Sequence, residues 1–361
     1  MKKYFCVLLL VIAILNPCFA AAPAAEPPPL KIGLIYSLSG PAEIWGSYGR
    51  QGAELAAKEI NEAGGVAGRK IQLLLEDSKT SANGALSAYQ KLVKVDKVDA
   101  LVGDVWDFVT NPLVPLSARD HVVLISPAVI PDAIESRSEY FYTMGSQAGL
   151  TRAAVDKFFE LNPQIKSIAI ICWDNPWGRA YDKVWTSAAE AKNIKVIDHR
   201  NVYGFDYDYR TEAAAIAQKR PDAVIMGYQE ERIIKRLNEQ NFHPLILSTS
   251  NLASVLVQSL LPSTALEGAY FTDWQPASSF VETFTRNFNR APMFEAHNHY
   301  QAIKSLAQAF ALNPANLNAA LRTLKFAGVA GEIDFSRGFA VNYSSAVLNK
   351  VENNKIRPVG P

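Results

Sequence analysis

Short apolar runs alternate with longer amphipathic stretches along most of this chain. The segment KIGLIY at 31–36 carries Ile32, Leu34 and Ile35 and breaks at Ser39-Gly40-Pro41. A stretch follows with Ala53, Ala56, Ala57 and Ile60 on one helical stripe, ended by Gly64-Gly65, and Ile71 to Leu75 then reads as a second buried strand. Strand, helix, strand in that order makes a parallel βαβ unit, with its open loop at the carboxyl end of the first strand. The same alternation continues, predicting strands at 31–36, 71–77, 100–103, 122–126, 167–172, 194–201, 223–227 and 245–248. Helices are expected near 48–63, 81–95, 109–119, 147–160, 178–191, 209–219 and 230–240. Buried apolar strands separated by helices imply an α/β fold with parallel sheets covered on both faces.

The first 29 residues break this rhythm. Lys2 and Lys3 precede an uncharged apolar stretch from Val7 to Leu15. Small residues follow at Cys18-Phe19-Ala20 or Ala20-Ala21-Ala22, the pattern of a cleaved secretory leader. The apolar part is short for a membrane span. Residues 1–20 are therefore expected to be a signal peptide and the mature chain to be periplasmic; Leu15-Asn16-Pro17-Cys18 leaves a lipid anchor on Cys18 as the lesser alternative. Residues 21–29 (AAPAAEPPP) form a stiff Pro/Ala tether.

Removing residues 1–20 from 361 leaves 341, about two domains. The net charge of +1 becomes −1 once Lys2 and Lys3 go, so nothing electrostatic draws the chain to nucleic acid or an anionic membrane. Cys172 is the one thiol left in the fold, so no internal disulfide is expected. Stability must come from burial, and a 49% hydrophobic composition suits that. Enzyme signatures are missing: the chain has no Gly-x-Ser-x-Gly, no P-loop and no paired metal motif, and Gly64-Gly65 and Gly68 end a helix instead of opening one onto phosphate. His297 and His299 lack further ligands nearby in sequence, so no metal and no cofactor are expected.

The wording of residues 31–77, of Val102-Gly103 through Ile125-Ser126-Pro127-Ala128, and of IAIICWDNPWGRA at 168–180 resembles the leucine/isoleucine/valine-binding proteins of bacterial ABC importers. The resemblance spans nearly all of 30–361. It implies a type I periplasmic binding fold: two Rossmann-like lobes joined by three crossing strands. The crossings fall at Tyr140–Met144, at Ala269–Asp273 and at Phe335–Asn342, before a hairpin around Asn353-Asn354. The expected division is 30–144 and 273–335 in the first lobe, 145–272 in the second, and 336–361 as the last crossing with the second lobe's C-terminal part. The disulfide common in that family would fall on Lys79 and Trp106, so it is absent.

Carried over position by position, the resemblance implies a ligand site at Trp45, Trp106, Asp107, Ala128, Ile130, Trp177, Tyr228, Ser250 and Glu295. Asp107 stands where the family has a small hydroxyl that grips an α-carboxylate, Ile130 where it has a threonine, and Ser250 where it has the glutamate that pairs the ammonium. A carboxylate about 4 Å from an ionised Asp107 would be repelled by roughly 4 kcal/mol at an effective dielectric near 20, about a thousandfold in affinity. Free branched-chain amino acids are thus expected to bind poorly. Three tryptophans with Tyr228 offer flat walls for stacking or cation–π contact, and Asp107 and Glu295 can pair an amine. Structural roles compete with these. Asp107 can serve as a helix N-cap. Trp173, Trp185 and Trp274 read as core or rim, and Glu230-Glu231-Arg232 as a solvated helix start.

The expected function is that of a monomeric receptor without catalytic residues. It delivers a small aromatic, amine- or amide-bearing ligand to a permease and ATPase complex by hinge closure of its lobes. The alternative is a periplasmic sensor of the same fold signalling to a membrane receptor kinase.

Overall fold

The computed structural model describes residues 27–127, 138–144, 148–336 and 346–359. The chain opens with β1 (Leu30–Tyr36), α1 (Glu43–Glu62), β2 (Ile71–Asp77), α2 (Ala82–Gln90) and β3 (Ala100–Val102). Then come α3 (Asp107–Thr110), α4 (Val114–Asp120), β4 (Leu124–Ser126) and β5 (Phe141–Thr143). These five strands form one parallel sheet in the order β2-β1-β3-β4-β5.

A second sheet is built from β6 (Ser167–Trp173), β7 (Lys195–Val202), β8 (Ala223–Gly227), β9 (Leu245–Ser248) and β10 (Tyr270–Asp273). They alternate with α5 (Arg152–Leu161), α6 (Pro176–Ala191), α7 (Arg210–Lys219), α8 (Glu230–Glu239) and α9 (Asn251–Val257). Next come α10 (Ser278–Phe288), α11 (Phe294–Leu312), α12 (Leu317–Leu321) and a small hairpin of β11 (Lys325–Gly328) and β12 (Gly331–Asp334). Finally β13 (Val347–Glu352) and β14 (Lys355–Pro358) join the second sheet in the order β14-β13-β10-β9-β8-β6-β7. Within it β13 runs antiparallel to β10 and β14. Asn353 and Asn354 both take positive φ, 53° and 59°, the turn such a two-residue hairpin demands.

The helices after β10 pack back on the first sheet. One core holds Ile32, Leu34, Ala53 and Ala56 together with Phe284, Ile303, Phe310 and Leu321. The closest join is α1 against α11, where a Cβ on Gly52 would sit 1.9 Å from the Ala296 carbonyl oxygen. Only a residue without a side chain fits there. The second sheet has cores on both faces, around Met226, Ile233 and Phe271 on one side and Phe158, Ile170 and Trp185 on the other. The described residues thus form an α/β protein of two large sheets with helices about each, beside the small β11–β12 hairpin.

Three local expectations need correction. Strand β2 is only partly buried, because it is the edge of its sheet and has one neighbour instead of two. Helix α1 starts at Glu43, five residues earlier than expected, which puts Trp45 in its first turn. The helix expected at 109–119 is divided: Pro112 and Pro115 lack the N–H a continuous helix needs, and a tighter turn at Asn111–Leu113 separates α3 from α4.

Candidate functional site

Loops at the carboxyl ends of β1, β3, β6 and β8 face one another between the two halves, the place where open parallel sheets present ligand-binding loops. The β1 loop is held by Asp77, whose Oδ1 accepts the Leu38 and Ser39 amides at 3.0 and 3.2 Å and whose Oδ2 accepts the Ser39 hydroxyl at 2.5 Å. Asp104, after β3, ties three strand ends together. Its carboxylate accepts the Ser37 and Ser78 hydroxyls at 2.7 Å each and the Val105 amide at 2.7 Å. Burial nevertheless pushes Asp104 up to about 6.

On this base stands an aromatic cluster shared between the halves. Trp106, following β3, lies 5.3 Å from Tyr228, 5.6 Å from Phe205 and 5.9 Å from Trp173 by ring centroid. Those three partners all belong to the second half. Trp45 meets Trp106 edge-on at 5.6 Å and Tyr228 at 6.1 Å, and Trp173 lies 4.0 Å from Tyr228.

The turn that presents Tyr228 is strained, with φ of 81° at Tyr228 and 57° at Gln229. Neighbours hold it in place. Gln229 accepts the Tyr209 hydroxyl at 2.7 Å and donates to the Phe205 carbonyl. Glu230 Oε1 accepts the Tyr228 amide at 3.1 Å and the Ser248 hydroxyl at 2.7 Å.

Two cavities flank the cluster. One, of about 310 Å³, is lined by Trp45, Phe205 and Tyr228 and by the acids Glu43, Asp206, Glu230 and Glu231. Arg232 is the basic residue of its wall. It donates to the Tyr207 carbonyl and lies 3.7 Å from Asp206 and 3.8 Å from Glu231, so its charge is already shared. Burial pushes Glu230 up to about 7 and also raises Glu231. The other cavity, of about 600 Å³, lies between Asp107, Phe108 and Asn111 on one side and Asp174, Arg179 and Tyr203 on the other. There Arg179 pairs with Asp174 at 2.8 Å.

Residues 29–355 match the family model described as periplasmic binding protein. This chain belongs to that family. A Leu/Ile/Val-binding protein homologue of Brucella melitensis is 25% identical over 331 residues, covering 89% of this chain and 84% of that protein. The Streptococcus pneumoniae branched-chain amino acid transporter substrate-binding protein LivJ, solved with isoleucine, superposes with a TM-score of 0.81 at 21% identity. It covers 92% of this chain and 100% of its own. An ABC-transporter solute-binding protein of Rhodopseudomonas palustris, solved with benzoate, gives a TM-score of 0.78 at 20% identity over 92% of this chain and 96% of its own. This periplasmic binding protein is therefore an extracytoplasmic solute-binding protein and not an enzyme, with the type I fold. Among the described residues no helix is long and apolar enough to cross a membrane, and no cluster of metal-ligating side chains is found.

Of the residues that the resemblance pointed to in this binding protein, Trp45, Trp106 and Tyr228 come together. Asp107 lines the larger cavity, and Trp45 the smaller. The cap position of α3 falls on Trp106; Asp107 is the first helical residue, and its Oδ1 accepts the Phe108 amide at 2.8 Å. Trp177 packs on Tyr181 at 4.7 Å, one turn along its own helix, and lines neither cavity. Ser250 precedes α9 without capping it through its side chain, and Glu295 is buried in the first turn of α11. Ala128 and Ile130 lie outside the described residues, as do the leader and Cys18.

Trp173, Phe205 and Glu230 carry part of this site without having been singled out for it. Glu230 is 1% exposed, which corrects the solvated reading of Glu230-Glu231-Arg232. Its signal was faint: the preceding Tyr228-Gln229 turn tucks the first helical residue beneath it.

Proposed function

We propose that this binding protein takes a small ligand with an aromatic ring and a positively charged amine, closing its two lobes over it and delivering it to a permease and ATPase complex. The observation that carries this reading is the cavity walled by Trp45, Phe205 and Tyr228 and edged by four carboxylates against one already paired arginine. Aromatic faces attract cations, more strongly when water is excluded, and the surplus of negative charge repels a ligand carboxylate. The benzoate-bound neighbour from Rhodopseudomonas palustris supports an aromatic ligand in this fold. The acidic lining here argues for the opposite charge at the polar end.

In this reading residues 30–144 and 273–335 act as one lobe, and 145–272 with 336–361 as the other. Closure turns on the segments between them, and the closed form is what the membrane partner reads. Residues 1–20 direct export. Asp107, at the wider cavity, repels carboxylates that enter between the lobes.

Calorimetry with tyramine, 4-hydroxybenzoate and leucine tests the assignment. Tyramine is expected to bind and leucine to bind weakly or not at all. Trp45→Ala weakens tyramine by about 1–3 kcal/mol through loss of one stacking face and its burial. Asp107→Asn relaxes the exclusion of 4-hydroxybenzoate. Sub-micromolar leucine binding, with tyramine inert, overturns the reading.

A further inference from the structure

Both cavities beside the aromatic cluster lie between the halves, because each draws its walls from both. In the 310 Å³ cavity Ile44 and Trp45 of α1 face Phe205 and Tyr228, and in the 600 Å³ cavity Asp107 and Phe108 face Asp174 and Tyr203. Two rings of the cluster, Trp106 and Trp173, line neither cavity.

Their neighbours show where they stand. By ring centroid Trp106 lies 5.3 Å from Tyr228 and 5.6 Å from Trp45, which wall the smaller cavity, and 6.0 Å from Phe108, which walls the larger. Trp173 in turn lies 4.0 Å from Tyr228 and 5.6 Å from Tyr203, again one ring of each cavity. The two indoles are 5.9 Å apart and come from opposite halves, so together they form a septum across one cleft.

They are anchored differently. Trp173 ends β6 and is 2% exposed, and Gly178 covers its backbone carbonyl so closely that a Cβ there would sit 1.9 Å from the oxygen. Trp106 is partly buried, stands in extended backbone just before α3, and packs on core residues of both halves. Its Nε1 is buried without a hydrogen-bond partner among the described residues. Ring packing holds this indole in the cleft, and cutting it back strands no acceptor.

We infer that Trp106 sets the length of ligand this protein accepts. It closes the side of the acid-edged cavity that faces the wider one, so a one-ring amine is admitted and a ligand running on into the second cavity is excluded. This rests on the reading of the smaller cavity as the amine site and names the residue that limits it. Close-packed rings yield little to an added one, because overpacking displaces side chains already in contact. Without the Trp106 indole the two cavities join through a space walled by Trp173, Phe205 and Tyr228. The joined cleft has acids at one end and Asp174 with Arg179 at the other, and fits two rings in line with an ammonium at the acid end.

The test compares tyramine with O-benzyltyramine, the same amine carrying a second ring in line, by calorimetry on wild type and Trp106→Ala. Wild type is expected to bind tyramine and to bind the longer amine more weakly. In Trp106→Ala the affinity ratio should shift toward the longer amine by at least about tenfold, since a further ring is then buried. Apolar cavities take up aromatic molecules, so free indole should raise the melting temperature of Trp106→Ala and leave that of wild type unchanged. Trp106→Leu removes less volume and carries both readings if the alanine variant does not fold. Equal binding of the two amines by wild type, or one ratio in wild type and folded variant, overturns the filter and leaves the amine reading standing. If neither amine binds either protein while indole stabilises the variant alone, the amine reading falls and the place of Trp106 between the cavities is upheld. A folded variant that takes up neither indole nor the longer amine overturns the partition.

Discussion

Glu230 provides a direct measure of how dry the aromatic cavity is. Its carboxyl is 1% exposed and lines the 310 Å³ cavity. Burial raises its pKa most, the Ser248 hydroxyl and backbone amides oppose that rise, and the charge of Glu231 adds to it, leaving it at about 7 against an ordinary 4.5. A shift of that size corresponds to about 3 kcal/mol, at about 1.4 kcal/mol per unit. The folded state holds this proton after the unfolded chain has released it. The stabilising contribution is therefore complete below about pH 4.5, declines as pH rises, and is gone above about pH 7.

Glu230→Gln keeps an acceptor for Ser248 and Tyr228 but cannot titrate. The stability of wild type relative to this variant should fall by about 3 kcal/mol between pH about 4.5 and about 8, measured by urea unfolding at intervals across that range. Distant titrating groups such as His297 and Asp104 cancel in the difference. Parallel pH profiles for the two proteins would refute the reasoning, because they would mean that Glu230 ionises as freely in the folded protein as in the unfolded chain. If the cavity receives an amine, tyramine affinity should also rise with pH through the same window, as Glu230 gains its charge.

Gly52→Ala places a Cβ where only 1.9 Å separates it from the Ala296 carbonyl oxygen, so α1 and α11 must part. Overpacking of this kind costs about 1–3 kcal/mol, and a thermal melt should fall by several degrees; an unchanged melt would show that the helices do not approach so closely. The exported chain should lack residues 1–20 by intact mass, whereas a diacylglyceryl adduct on Cys18 would overturn cleavage in favour of a lipid anchor.

The alternation of strands and helices was legible because each element carries its own period: the core strands β1, β6 and β8 are continuous apolar runs, and α6 and α8 show apolar stripes. The final hairpin was legible for a similarly local reason, since Asn353-Asn354 suits the positive φ of a tight turn. Helix α11 was not assigned, because it is buried nearly all round and has no polar stripe: His297, Asn298, His299 and Gln301 are as enclosed as Ile303 and Leu306. Trp45, Trp106 and Tyr228 were recognised through family position, but their meeting with Trp173 and Phe205 depends on how the two halves face each other. Charge misled most. Glu230 looked like a solvated helix start and is buried, and Glu295, placed at the ligand by family position, is enclosed in the first turn of α11. Periodicity reports which face of an element avoids water. Whether a carboxylate ends in water or in the interior is decided by residues distant in sequence, so only the tertiary structure could place these acids.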